Sequence, residues 1–179
     1  MKRWFFAILP SSKVSSEIIE FQRELKTQYG FSHALKTPPH LTIIPPFTAT
    51  IDQIESLFTK IRNESLTPFS IQLDGFQAFH PRVLFVDVMH NPDLIGFRKR
   101  IKSIFVSEKI IPNKGEKHFF TPHITIANRD LNNKTFKQIF PTFKNRKFLA
   151  AFEVRSIFLL QHTDGKWVEK EEYMFTKEA

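Results

Sequence analysis

The sequence predicts an α+β fold built as a pseudo-twofold duplication, in which two mainly antiparallel sheets line a central cleft and the helices pack outside. Three observations carry that expectation. The segment Pro39-His40-Leu41-Thr42-Ile43 returns as Pro122-His123-Ile124-Thr125-Ile126, with the two histidines 83 positions apart. Each copy occupies the same place in a repeated order of strand, helix, loop, His-x-Thr strand, helix and strand: Arg3 to His40 spans 37 positions, and Val83 to His123 spans 40. Direct turns between strands are also too frequent for a doubly wound parallel sheet. At 179 residues the chain is one domain long, and residues 1–179 are expected to form a single domain of two lobes, approximately 1–80 and 81–179.

In chain order, residues 3–9 read as a strand, and Ser11 and Ser12 offer a cap to a helix whose apolar face is Val14, Ile18, Phe21 and Leu25. Gly30 ends it, and a loop to Pro39 delivers the first motif strand. Thr50 and Gln53 form a capping-box pattern ahead of a second helix striped by Ile51, Ile54, Phe58 and Ile61. Beyond Pro68, Phe69, Ile71 and Leu73 alternate with polar residues into a strand that runs toward Phe79. Arg82 to Met89 is apolar at nearly every position, as a central strand would be. Asn91 and Pro92 open a third helix with Leu94, Phe97, Ile101 and Ile104 inward, and a loop containing Lys114, Gly115 and Lys117 leads to the second motif. A fourth, weaker helix covers Asn133 to Phe140, with Phe136, Ile139 and Phe140 inward. Ala151 to Gln161 reads as one strand, Asp164-Gly165 as a hairpin turn, and Trp167 to Phe175 as the returning strand.

Composition bounds the function. Hydrophobic content of 41% with 21 Phe describes a globular chain with a phenylalanine-heavy core. The absence of cysteine excludes disulfides and cysteine-based metal sites. No apolar stretch approaches the roughly 20 residues a membrane span needs, so a soluble, cytoplasmic, monomeric protein with no membrane contact is expected. The opening Met1 to Leu9 stops at Pro10 without a small-residue cleavage pattern, as a first strand would and a signal peptide would not. A net charge of +8 fits polyanionic partners or a lysine-rich solvated surface equally well.

The chemistry lies in the two motifs. Side chains on a strand alternate, so His40 and Thr42 share one face, His123 and Thr125 another, and the aliphatic residues between them anchor the opposite side. An imidazole titrates near neutrality, so two of them facing one phosphodiester can act as base and acid on opposite sides of phosphorus. The two threonine hydroxyls can donate to non-bridging oxygens as charge builds there. This scheme needs no metal and no cofactor. The residue two beyond each histidine is threonine, and no carboxylate lies within five residues of either histidine, a local pattern unlike a zinc site. No Gly-x-Ser-x-Gly is present for serine-type acyl chemistry.

The pair of motifs, with the closing Leu159-Leu160-Gln161 and Asp164-Gly165-Lys166-Trp167 hairpin, resembles the 2H phosphoesterase superfamily, which includes 2′-5′ RNA ligases and RNA 2′,3′-cyclic phosphodiesterases. The resemblance implies a bilobal fold and metal-independent opening of 2′,3′-cyclic phosphates on RNA ends or nucleotides. It implies His40 and His123 as catalytic residues, His40 as proton donor and His123 as acceptor, and Thr42 and Thr125 as substrate contacts. Reversible 2′-5′ ligation needs the same residues, and a non-catalytic module binding RNA ends or nucleotides is the alternative. Where RNA-acting members often carry arginine, five beyond the second histidine, this chain has Asn128, with Arg129 next; Ile44-Pro45-Pro46-Phe47 replaces the commoner Phe-Leu-Gly. His33, His80, His90, His118 and His162 are expected in loops or turns, Arg98, Lys99, Arg100 and Lys102 on a solvated helix face, and Tyr29, Phe47 and Phe119 in the core.

Overall fold

The computed structural model describes residues 1–112 and 120–175. Among them the chain runs β1 (Lys2–Ile8), α1 (Ser12–Tyr29), β2 (Leu41–Ala49), α2 (Ile51–Arg62), β3 (Phe69–Phe79), β4 (Val83–Val88), α3 (Pro92–Ser107), β5 (His123–Asn128), α4 (Asn133–Lys144), β6 (Leu149–Val154), β7 (Ser156–Thr163) and β8 (Lys166–Met174). A 3₁₀ turn at Ala34–Lys36 interrupts the loop before β2. Lys114, Gly115, Lys117, His118 and Phe119 lie outside the described residues.

Local chemistry sets the helix ends. Ser11 caps α1 by accepting from the Val14 N–H, and Gly30 closes it at φ 75, a left-handed conformation that suits a residue without Cβ. The Thr50/Gln53 capping box forms, and Asn91 caps α3 with Pro92 in its first turn. The inward face of α2 is Ile54, Leu57, Phe58 and Ile61, whereas Ile51, expected in that stripe, is 44% exposed. Asn132 and Thr135 form a capping box on α4, which runs past Pro141 to Lys144. A proline so near the end forfeits little hydrogen bonding, and the extra turn buries Phe143 against Phe21 and Phe76.

The eight strands form one sheet in the order β6-β3-β4-β5-β2-β1-β7-β8, and every pairing in it is antiparallel. The two sheets expected from the duplication are therefore two four-strand groups of one hydrogen-bonded sheet, joined where β2 meets β5 at the single pair Leu41↔Ile124. Group membership does not follow the sequence halves, because β3 pairs with β4 and β6, whereas β7 returns to β1. The expected strand Ala151 to Gln161 is two strands broken at Arg155. β6 is an edge of one group, and β7 lies inside the other. Val154 and Ser156 are only about 7 Å apart at full chain extension, so the sheet must curl until that edge returns beside β7. The Phe175 N–H seals the corner on the Arg155 carbonyl at 2.8 Å.

Helices cover the outer face. α1 packs on β5 and β6, α4 on β3, and α3 on β2, β3 and α2. The core between helices and sheet contains Leu41, Ile43, Ile124 and Ile126, each no more than 1% exposed. Central strand β1 is buried on both faces: Trp4, Phe6 and Ile8 join this core, while Phe5 and Ala7 pack with Leu160 in a smaller cluster on the cleft side.

Extending the Leu41↔Ile124 register by two residues in each direction would set Pro122 opposite Ile43 and Pro39 opposite Ile126, and a prolyl nitrogen has no hydrogen to donate. The strands part there, and helix side chains serve nearby carbonyls. Arg98 Nε of α3 donates to Ile43 O at 3.3 Å, and Gln22 Nε2 of α1 donates to Thr125 O at 3.1 Å. Arg98 also lies 4.1 Å over the Phe120 ring, so it is a joint between helix and sheet and not the solvated charge expected.

Because Leu41 and Ile124 are both fully buried at the only pair joining the groups among the described residues, Ile124→Ala should cost about 2–5 kcal/mol of unfolding free energy in a urea titration. A loss below about 1 kcal/mol would show that the junction does not depend on this contact.

Candidate active site

The junction dictates the site. Residues opposite one another in an antiparallel pair share a face, so the Leu41↔Ile124 register brings His40 beside Thr125 and Thr42 beside His123. All four side chains then project from the face opposite the buried aliphatics. At ordinary sheet spacing the diagonal between the histidine positions is about 7–8 Å, enough for one phosphate between two imidazoles.

The two histidines are held alike. His40 Nδ1 donates to Pro38 O at 2.8 Å, and His123 Nδ1 donates to Thr121 O at 2.8 Å, in each case the carbonyl two residues back. A carbonyl only accepts, so each neutral ring carries its proton on Nδ1 and leaves the Nε2 lone pair free for a ligand. Each ring also rests on a phenylalanine of the neighbouring strand. Phe5 of β1 lies 4.9 Å from His40 at 52°, and Phe85 of β4 lies 4.9 Å from His123 at 49°. The duplication thus extends to ring support.

Charge breaks the symmetry. Burial pushes the His40 imidazole down to about 4, with the charge of His123 adding to the effect and the Pro38 carbonyl opposing it. Burial also lowers His123 from its ordinary value, but there the Thr121 carbonyl and the Asp87 carboxylate both favour the proton. Asp87 stands opposite His123 in the β4–β5 register, and burial raises its own carboxyl above the usual range.

A cavity of about 210 Å³ opens beside the junction. His40, Thr42 and Thr125 line it, with Phe5 and Trp167 forming an aromatic wall. His123 is not part of its lining; it stands across from Thr42, beyond the strand junction. The cavity's outer wall is the loop bearing His33, Ala34, Thr37 and Pro38, which Asp130 pins by accepting from the Ser32 and His33 N–H groups at 3.0 and 2.7 Å. A register shift in β5 between Thr125 and Ala127 restarts the alternation, so Asn128 lines the cavity as well, followed by Arg129 at φ 56.

Sequence reasoning located the four motif side chains and singled out Asn128 and Arg129, both of which line the cavity; it missed Gln22, Phe5 and the loop from His33 to Pro38 as lining. His33, read as a loop residue, is a wall residue, and His162, also read as a loop residue, lies in β7 with its ring 5.0 Å from Trp167. Two signals were present: Gln22 is a polar residue on the apolar stripe of α1, and Asp87 is a charge within an otherwise apolar strand. Among the described residues no group of three or more His, Asp or Glu side chains is placed to hold a metal ion. Among them, too, no helix is long and apolar enough to cross a membrane.

Residues 10–166 match the 2′-5′ RNA ligase superfamily. The chain belongs to that superfamily, the 2H phosphoesterases. Its relatives within it include provisionally named phosphoesterases of Geobacillus sp. (strain WCH70), 25% identical over 96% of this chain and 95% of the relative, and of Bacillus licheniformis, 23% identical over 96% and 98%. E. coli LigT complexed with 3′-AMP has the same fold, with a TM-score of 0.71 at 17% identity over 98% of both chains. TT0787 of Thermus thermophilus aligns with a TM-score of 0.68 at 19% identity over 99% of this chain and 100% of that one. This 2H superfamily member is accordingly an enzyme of the phosphoesterase kind.

Replacing Asp87 by Asn removes the charge that favours the His123 proton, so the His123 imidazole should titrate at lower pH in the variant when followed by NMR. An unchanged His123 titration would mean that Asp87 does not act on it.

Proposed function

We propose that this phosphoesterase opens 2′,3′-cyclic phosphates of RNA ends or nucleotides by metal-independent acid/base catalysis between His40 and His123, with Thr42 and Thr125 holding the non-bridging oxygens. The observation that carries this reading is the convergence of two identically tethered imidazoles, each with a free Nε2, on one face of the β2–β5 junction. One imidazole takes a proton from the attacking water as its oxygen bonds to phosphorus. The other gives a proton to the departing ribose oxygen, and a phosphomonoester results. The threonine hydroxyls donate to the oxygens that gain charge. E. coli LigT has been crystallised with 3′-AMP, ATP and phosphate, which agrees with a nucleotide or RNA-end ligand here. Ligation of 2′-5′ ends would use the same groups in reverse.

The resemblance implied His40 as donor and His123 as acceptor, but the surroundings favour the opposite order for ring opening. His40 sits against Phe5 and is neutral at pH 7, ready to accept; His123 has the Asp87 carboxylate opposite it and protonates first as a phosphate anion raises both. We therefore assign the base to His40 and the acid to His123.

Either His40→Ala or His123→Ala should lower hydrolysis of 2′,3′-cyclic nucleotides by roughly 10²–10⁴-fold while the melting temperature stays near wild type, and EDTA should leave the wild-type rate unchanged. Loss of activity in EDTA with recovery on added zinc would contradict the scheme. The pH profile is a separate test, since kcat/KM reports the free enzyme. With His40 near 4 and His123 lowered from its ordinary value, the bell should peak on the acid side of neutrality and fall as His123 loses its proton, before an ordinary imidazole would. A maximum above about pH 8 would exclude this pair as the titrating groups. Binding without turnover of any cyclic phosphate would instead support the non-catalytic alternative.

A further inference from the structure

Gln22 is 3% exposed, yet one end of its side chain has no partner. Nε2 donates to the Thr125 carbonyl at 3.1 Å, and because that carbonyl only accepts, the amide orientation is fixed. Oε1 is left buried without a hydrogen bond. Buried amide oxygens in native proteins almost always have a donor, so this one calls for a ligand or a structural reason. Gln22 lines the cavity beside the β2–β5 junction, and Asn128, which shares that lining, also has an unpartnered buried Oδ1.

The rest of the cavity indicates what would bring the donor. His40, Thr42 and Thr125, where the phosphate is proposed to sit, are part of its lining. Trp167 lines it too, held by the Phe5 ring at 4.7 Å and by the Arg3 guanidinium at 5.6 Å. A cavity lined by both an aromatic wall and orphaned acceptors suits a planar heterocycle that presents hydrogen-bond donors.

We infer that Gln22 is a specificity-determining residue whose Oε1 accepts a hydrogen bond from the exocyclic amine of the substrate's nucleobase, so that the cavity favours cytosine and adenine over uracil and hypoxanthine. Uracil and hypoxanthine carry a carbonyl oxygen where cytosine and adenine carry the amine. Their lone pairs would face those of Gln22 Oε1 where little water can intervene, an arrangement that leaves both groups unpaired. The inference rests on the proposed nucleotide reading of the same cleft. It makes Gln22 serve two purposes, steadying the Thr125 segment with one end of its amide and reading the base with the other.

The test uses two ligand pairs that differ by the amine alone: 3′-CMP against 3′-UMP, and 3′-AMP against 3′-IMP. Their binding to the intact protein is measured by calorimetry, alongside turnover of the 2′,3′-cyclic forms. Wild type should bind the amino partner of each pair at least about tenfold more tightly, as a buried hydrogen bond made against one left unmade requires. In Gln22→Met, which keeps the side chain's length and removes its polar atoms, the ratio within each pair should fall toward one. A ratio taken within one protein cancels any shared weakening from the lost Thr125 bond, and the wild-type ratios stand even if the variant does not fold. Equal affinities in wild type, or a preference undiminished in Gln22→Met, overturn the inference. Turnover without preference removes this role of Gln22 and keeps the phosphodiesterase reading. Preference without turnover does the reverse, and absence of binding by all four nucleotides overturns both.

Discussion

The architecture depends on how little β2 and β5 are paired. A longer ladder between them would make a flat sheet with no opening, and no ladder would leave two unconnected groups of strands. The observed junction is the single pair Leu41↔Ile124, flanked in register by Pro39 and Pro122, which cannot donate to a ladder. Leu41 and Ile124 hold the junction from the core side. The strands diverge on either side of it, and helix side chains replace missing ladder donors through Gln22 to Thr125 and Arg98 to Ile43. One geometric restriction thus explains the opening, its position, and the presence of His and Thr from both motifs on one face.

The site is symmetric in construction and asymmetric in charge. Tethering through the carbonyl two residues back and support by a phenylalanine at 4.9 Å recur for both histidines. Asp87 stands opposite His123, whereas in β1 the strand next to the first motif carries Phe5 and Ala7 toward the cleft. Two imidazoles that must be in different protonation states benefit from such a difference, because equal rings would share a proton without a preferred direction. The second asymmetry is the cavity itself, which lies on the His40 side and takes its aromatic wall from β1 and β8.

Much of this was legible in the sequence, and the parts that were not have physical reasons. The repeated Pro-His-x-Thr, the caps at Ser11, Thr50 and Asn91, and the stop at Gly30 are local signals, and each forms as the residues indicate. The break at Arg155 left only a slight trace, the consecutive polar residues Arg155 and Ser156, which shift the buried positions from Phe152 and Val154 to Ile157 and Leu159; the curl of the sheet makes it a corner. β3 looked like part of the first lobe since chain order says nothing about which edge a strand joins. Trp167 lies far from the motifs in sequence and reaches the cavity through tertiary structure alone, whereas His33 stands seven positions before His40 and gives no local sign that its loop folds over the cleft. Gln22 and Asp87 left a trace, a polar side chain in an apolar pattern, the form in which a buried functional group shows itself before coordinates exist.

The most direct test of the central claim is an NMR titration of the histidine side chains with inorganic phosphate. If His40 and His123 face one anion, a single equivalent should raise the titration midpoints of both rings together, with one shared dissociation constant. Movement of one catalytic ring alone, or of the two rings with different dissociation constants, would mean that no single phosphate lies between them, and the two-histidine account would fail.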